Sequence, residues 1–145
     1  MVMKRTADVV WRGNLREGHG DIATQSGAVK AKYSLRSRAE EAPGTNPEEL
    51  LGAAHAACFA MSVTAALSAA GKPPTELRTH ATVSLASEGG GFSIPEIVLE
   101  LEGVVPGVDE ATFLQHAEAA KKNCPVSKAL AGVATITLRA SLKQS

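Results

Sequence analysis

The chain has 145 residues, with 15 Lys+Arg balanced by 15 Asp+Glu, and only 3% of it is aromatic. That length suits one domain with enough core to fold without staples, and the balanced charge and scarce aromatics exclude a basic or stacking surface for nucleic acid. Two cysteines are too few for a secreted disulfide framework, and MVMKRTADVVWRGNLREG holds no apolar stretch long enough for a signal peptide, so a cytoplasmic, reducing setting is expected.

The N-terminal part reads as short strands: Ala7 to Trp11, Asp21 to Thr24 and Ala28 to Leu35. Turn residues lie over Asn14 to Gly20 and at Ser26-Gly27, and Glu40 to Gly44 (EEAPG) is a loop. A long helix then begins with Asn46 as N-cap, Pro47 at the first helical position and Glu49 at the third. Gly71 followed by Lys72-Pro73-Pro74 ends it, giving a helix of roughly 36 Å. From Leu50 to Ala70 it carries 21 residues without Lys, Arg, Asp or Glu, long enough to span a bilayer. Alanine dominates that run, with His55, Ser62, Thr64 and Ser68 among it. It therefore reads as the buried helix of a protein core, not as a membrane span.

Two alternating segments follow, Leu77 to Ser87 and Phe92 to Val105, joined by a hairpin at Glu88 to Gly91. Pro95 suggests an edge position or a bulge. Asp109 caps a second helix to about Lys122, Pro125 to Leu130 makes one more helical turn with Cys124 near its cap, and Val133 to Leu142 is a final strand. The order implies a single α+β domain over residues 1–145, with no repeat or linker.

The two cysteines suggest thiol redox chemistry. Cys58 lies mid-helix, where no helix N-terminus favours its thiolate, so as a nucleophile it needs a nearby cation. Cys124, 66 positions later beside Pro125, is placed as an exchange partner. On position alone Cys58 is better explained as a small buried hydrophobe, and the plain alternative for the pair is a static disulfide.

TNPEELLGAAHAACFAM, the 66-residue gap and NCPVSKAL resemble the OsmC/Ohr family of hydroperoxide reductases, on its osmotically inducible protein C branch. The resemblance covers essentially the whole chain. It implies an OsmC-like fold, with antiparallel sheets packed around a long buried central helix in an intertwined homodimer. It implies that Cys58 attacks an organic hydroperoxide, or hydrogen peroxide, and becomes a sulfenic acid. Cys124 then closes an intrachain disulfide that an external dithiol reduces, in the Ohr branch a dihydrolipoyl protein. No cofactor or metal is implied.

The same resemblance makes Arg38 the cation that stabilises the Cys58 thiolate and Glu48 the carboxylate that holds it. Arg36 is the rival, on the same face if the segment is a strand. Glu49 reads as a first-turn acid favoured by the macrodipole. Glu48 and Cys58 are ten residues apart, about 15 Å along a straight helix, so two antiparallel copies of the helix would be needed to join them in one composite site. His55, three residues before Cys58, lines a pocket or meets the dimer partner; its spacing to His19, His80 and His116 gives no metal motif. Leu50, Leu51, Phe59 and Met61 serve either as an apolar substrate pocket or as ordinary core. The alternative function is a redox sensor or binding protein that uses the disulfide as a switch.

Overall fold

β-Branched runs separated by turn residues fold the N-terminus into a meander. Strands β1 (Ala7–Arg12), β2 (His19–Thr24) and β3 (Lys30–Tyr33) pair antiparallel in sequence order. Gly20 stands opposite both Trp11 and Tyr33. Its missing side chain leaves room for the Tyr33 ring, whose centroid lies 5.5 Å from that of Trp11. The coordinates are a computed structural model that describes residues 1–143. The chain falls into two compact units, Met1–Leu50 and Leu51–Ser145.

The strand expected to reach Leu35 stops at Tyr33. Ser34 accepts a hydrogen bond from the Ser37 amide while the Ser37 hydroxyl accepts one from the Ser34 amide, and this capping box starts a short helix, α1 (Leu35–Ala39). Arg36 and Arg38 therefore sit on a helical turn and not on one face of a strand. A second helix, α2 (Pro47–Ala69), begins as the sequence predicts, with the Glu49 amide donating to Asn46 Oδ1 at 2.8 Å.

α2 is long and apolar enough, by length and composition, to cross a membrane. The expectation of burial all round is not met within the chain. Gly52, His55, Phe59, Val63 and Leu67 form a buried stripe at three- and four-residue spacing, whereas Ala53, Ala54, Ala57, Met61 and Ala65 are exposed. One face of α2 is core, and the other is apolar and open.

Beyond Gly71 the chain forms β4 (Glu76–Val83), the hairpin of β5 (Ala86–Glu88) and β6 (Gly91–Ser93), β7 (Glu96–Val104), α3 (Glu110–Asn123), α4 (Pro125–Ala129) and β8 (Thr135–Leu142). Gly89 and Gly90 turn the hairpin at positive φ. Pro95 lies in the break between β6 and β7, neither on an edge strand nor in a bulge, because each predicted long strand divides in two around this hairpin. The larger sheet has the order β4-β7-β8. β4 and β7 are antiparallel, but β8 lies parallel to β7, a departure from the wholly antiparallel expectation. The cause is the connection: α3 and α4 carry the chain back along the sheet, as a parallel crossover requires.

Ile97, Leu99 and Leu101 alternate onto the covered face of β7 and join Phe59, Val63 and Leu67 of α2 and Phe113 and Ala117 of α3 in one core. Cys124 is part of that core, and Cys58 packs against it. Gly103 makes room for Phe113: a Cβ there would lie 2.6 Å from the Phe113 ring.

Candidate active site

In the first unit, α1 is tied to the start of α2 by side-chain bonds. Ser37 Oγ donates to the Thr45 carbonyl at 2.7 Å and Asn46 Nδ2 donates to the Ser37 carbonyl at 3.1 Å. Thr45 is itself held by its amide on the Lys32 carbonyl, and its hydroxyl donates to Glu49. These ties bring Arg38 to Glu48. Arg38 Nη2 donates to Glu48 Oε1 at 2.6 Å, and Nε reaches Oε1 at 3.0 Å and Oε2 at 3.2 Å. The Glu48 side chain is 9% exposed and that of Arg38 is 39% exposed. One flank of the guanidinium is thus engaged by a buried carboxylate, a fixed geometry that a lysine cannot reproduce. Arg36 turns outward and, among the described residues, pairs with Glu40 one turn along, with both side chains exposed. Of the two rival arginines, Arg38 is the one that Glu48 holds.

In the second unit, Cys124 belongs to the core against which Cys58 packs, and each thiol shifts the other's protonation. Cys58 is half-buried on the border between the core stripe and the open face of α2. Burial pushes its thiol above the ordinary value; the hydrogen bond to Cys124 acts the same way, and the Val126 amide and Ser62 oppose it. Cys124 is fully buried. Burial opposes its thiolate, yet hydrogen bonds from Ser127 (side chain and amide), Cys58 and the Val126 amide together bring it below the ordinary thiol value. It is the C-cap of α3 and the N-cap of α4, and Pro125 at the first position of α4 fixes the turn. The Ser127 amide donates to Cys124 Sγ at 3.4 Å.

His55 does not face outward. It is fully buried, and its Nε2 shares a 2.7 Å hydrogen bond with Ser127 Oγ. Burial lowers its pKa below the ordinary 6.5, so the ring is neutral at pH 7. Ser127 was not among the residues singled out from sequence. Its signal was the Cys124-x-x-Ser127 spacing at a helix start, which puts the Ser127 amide on the capping sulfur. Phe59 is wholly core, whereas Met61 is 74% exposed. Among the described residues no three His, Cys, Asp or Glu side chains gather as a metal site. A groove of about 530 Å³ across β4-β7-β8 is lined by Arg78, His80, Glu100 and Arg139 with their neighbours, and its lining includes neither cysteine.

Residues 39–139 match the family model described as OsmC-like protein. The chain is 43% identical over 144 residues to "Peroxiredoxin OsmC" of Escherichia coli (strain K12), covering 99% of both. It is 40% identical over 97 residues to the "Organic hydroperoxide resistance protein" of Xanthomonas axonopodis pv. citri, 66% of each. The crystal structure of the organic hydroperoxide resistance protein OhrB of Bacillus subtilis superposes with a TM-score of 0.71 at 28% identity, covering 95% of this chain and 98% of that one.

Proposed function

Because the chain belongs to the OsmC-like protein family, we propose that it is a cysteine-based peroxidase that reduces organic hydroperoxides, and hydrogen peroxide with them, to alcohols or water. Cys58 is the attacking thiol. Its thiolate displaces the alkoxide from the peroxide, the O–O bond breaks, and the sulfur keeps one oxygen as sulfenic acid. Cys124 then attacks that sulfur, forming the disulfide and releasing water, and an external dithiol restores both thiols. A reducing cytoplasmic compartment suits this cycle.

The observation that carries this reading is the pair of free cysteines packed into one core, Cys58 half-buried on α2 and Cys124 fully buried between α3 and α4. The accessible sulfur suits peroxide attack. The buried sulfur, which accepts a hydrogen bond from the Ser127 amide, suits the internal attack that follows.

Cys58 needs a cation, because burial and Cys124 both hold its proton in place. Arg38, oriented by Glu48, is the group for that task, and it comes from a second copy of the chain. The open alanine face of α2, with Met61 exposed on it, is the apolar surface on which a second α2 would pack antiparallel. The homodimer then has composite sites, each with the cysteine pair of one protomer and the arginine–glutamate pair of its partner.

Intact-mass measurement after one equivalent of cumene hydroperoxide tests the chemistry. Wild type is expected to lose the mass of two hydrogens, Cys124→Ser to gain one oxygen, and Cys58→Ser to stay unchanged. Oxidation that begins at Cys124 would refute the assignment.

A further inference from the structure

We propose that His55 and Ser127 form a buried latch that positions Cys124 for disulfide closure and leaves the attack of Cys58 on peroxide unaffected. The inference rests on the reading of Cys58 and Cys124 given above. Both residues are positioning residues, since neither reacts.

The latch is placed in register with the thiols. His55 lies three residues before Cys58 on α2, and Ser127 lies three residues after Cys124 on α4. The 2.7 Å hydrogen bond from His55 to Ser127 therefore ties α2 to α4 beside the two thiols, with Cys58 packed against the core that holds Cys124. The Ser127 backbone amide donates to Cys124 Sγ, so whatever fixes Ser127 also fixes the donor on that sulfur.

Stability alone does not account for the imidazole. His55 is fully buried, and among the described residues its Nδ1 has no hydrogen-bond partner. An unpaired buried polar atom opposes folding, and an apolar side chain of similar volume avoids that cost. What the ring adds is direction, through one short bond to one hydroxyl. A disulfide forms only when the two Cβ atoms come to about 3.8 Å apart with the sulfurs correctly turned. A fixed α2–α4 contact beside the thiols limits their relative motion to near that geometry, which is where an oriented intramolecular reaction gains its rate.

In the step concerned, Cys124 loses its proton and its sulfur attacks Sγ of the Cys58 sulfenic acid. The S–S bond forms, the S–O bond breaks, and the departing hydroxide takes up a proton to leave as water. Cys124 sulfur is oxidised and the sulfenic sulfur is reduced. Peroxide is already consumed by this stage, so a latch that acts here affects the second rate alone.

Rapid-quench kinetics on the reduced full-length protein with one equivalent of cumene hydroperoxide separates the steps. Peroxide loss reports the first, and disulfide, read by mass after thiol blocking, reports the second. Ser127→Ala and His55→Leu are expected to slow closure about tenfold, the rate equivalent of one net hydrogen bond, with peroxide loss unchanged. His55→Gln, which keeps a polar atom near the Nε2 position, is expected to close at nearly the wild-type rate. Wild-type closure rates in both disruptive variants, or equal slowing of both steps, would overturn the proposal. Absence of any disulfide in wild type would instead sink the underlying peroxidase reading, and the latch with it. Should the variants fail to fold, ring-nitrogen NMR of His55 in the wild type decides. The resonances are expected to shift between reduced and disulfide forms, and unchanged resonances would overturn the latch.

Discussion

Arg38 donates to Glu48 through both Nε and Nη2, with the shortest contact at 2.6 Å, and the carboxylate it grips is nearly buried. The orientation of the guanidinium is therefore set by the protein and not by solvent. Arg38→Lys keeps the charge but loses the two-nitrogen grip. Peroxidase kcat/KM is expected to fall at least about tenfold in Arg38→Lys and about a hundredfold in Arg38→Met, the range seen when a group that stabilises charge in a reaction is removed. Arg36→Met, at the exposed neighbour, is expected to change it by less than about twofold. Steady-state peroxide consumption checks all three, and a larger effect at Arg36 would reverse the assignment.

The proposed composite sites make a complementation experiment possible. Glu48→Ala retains the cysteines and Cys58→Ser retains the arginine–glutamate pair. Each is expected to be nearly inactive alone, and mixed dimers formed by refolding them together are expected to recover part of the activity. No recovery in a confirmed heterodimer would mean that the two halves belong to one chain.

The open face of α2 gives a separate test of assembly. Met61→Glu places a charge on a side chain that is 74% exposed in the single chain and buried in the proposed dimer. Sedimentation analysis is expected to show wild type as a dimer and Met61→Glu shifted toward monomer. A dimer indifferent to this charge would place the interface elsewhere.

His55 confers a pH dependence on stability whose sign is fixed. Its folded pKa is lowered by burial, so below the ordinary value of 6.5 the unfolded chain binds a proton that the folded chain refuses. Stability is fully present above pH 6.5 and is lost as pH falls from there toward the folded value, with a slope of at most about 1.4 kcal/mol per pH unit for one proton. Urea midpoints measured from pH 7 to 5 are expected to fall in wild type and to fall less in His55→Gln. Parallel curves would show that His55 is not buried as a neutral ring.

Much of this fold was legible because its signals are local. Asn46-Pro47 with Glu49 announced α2 to the residue, Asp109 announced α3, and the glycines at 89 and 90 announced the hairpin. The Cys58, Cys124, Arg38 and Glu48 set came from the motif, and in the structure Arg38 meets Glu48 while Cys58 packs against the core that contains Cys124. What was missed depends on partners distant in sequence. The direction of β8 beside β7 is invisible to alternation, which marks faces and not neighbours. The short helix over Leu35–Ala39 was hidden by a β-like run before it, although Ser34 and Ser37 hold capping-box spacing. Ser127 escaped because its partner, His55, lies 72 residues away.

Turnover of cumene hydroperoxide by reduced protein supplied with dithiothreitol, wild type beside Cys58→Ser, addresses the central claim most directly. Sustained consumption by wild type that disappears in Cys58→Ser is the expected result. Consumption that persists without Cys58, or a wild type that consumes no peroxide, would contradict it.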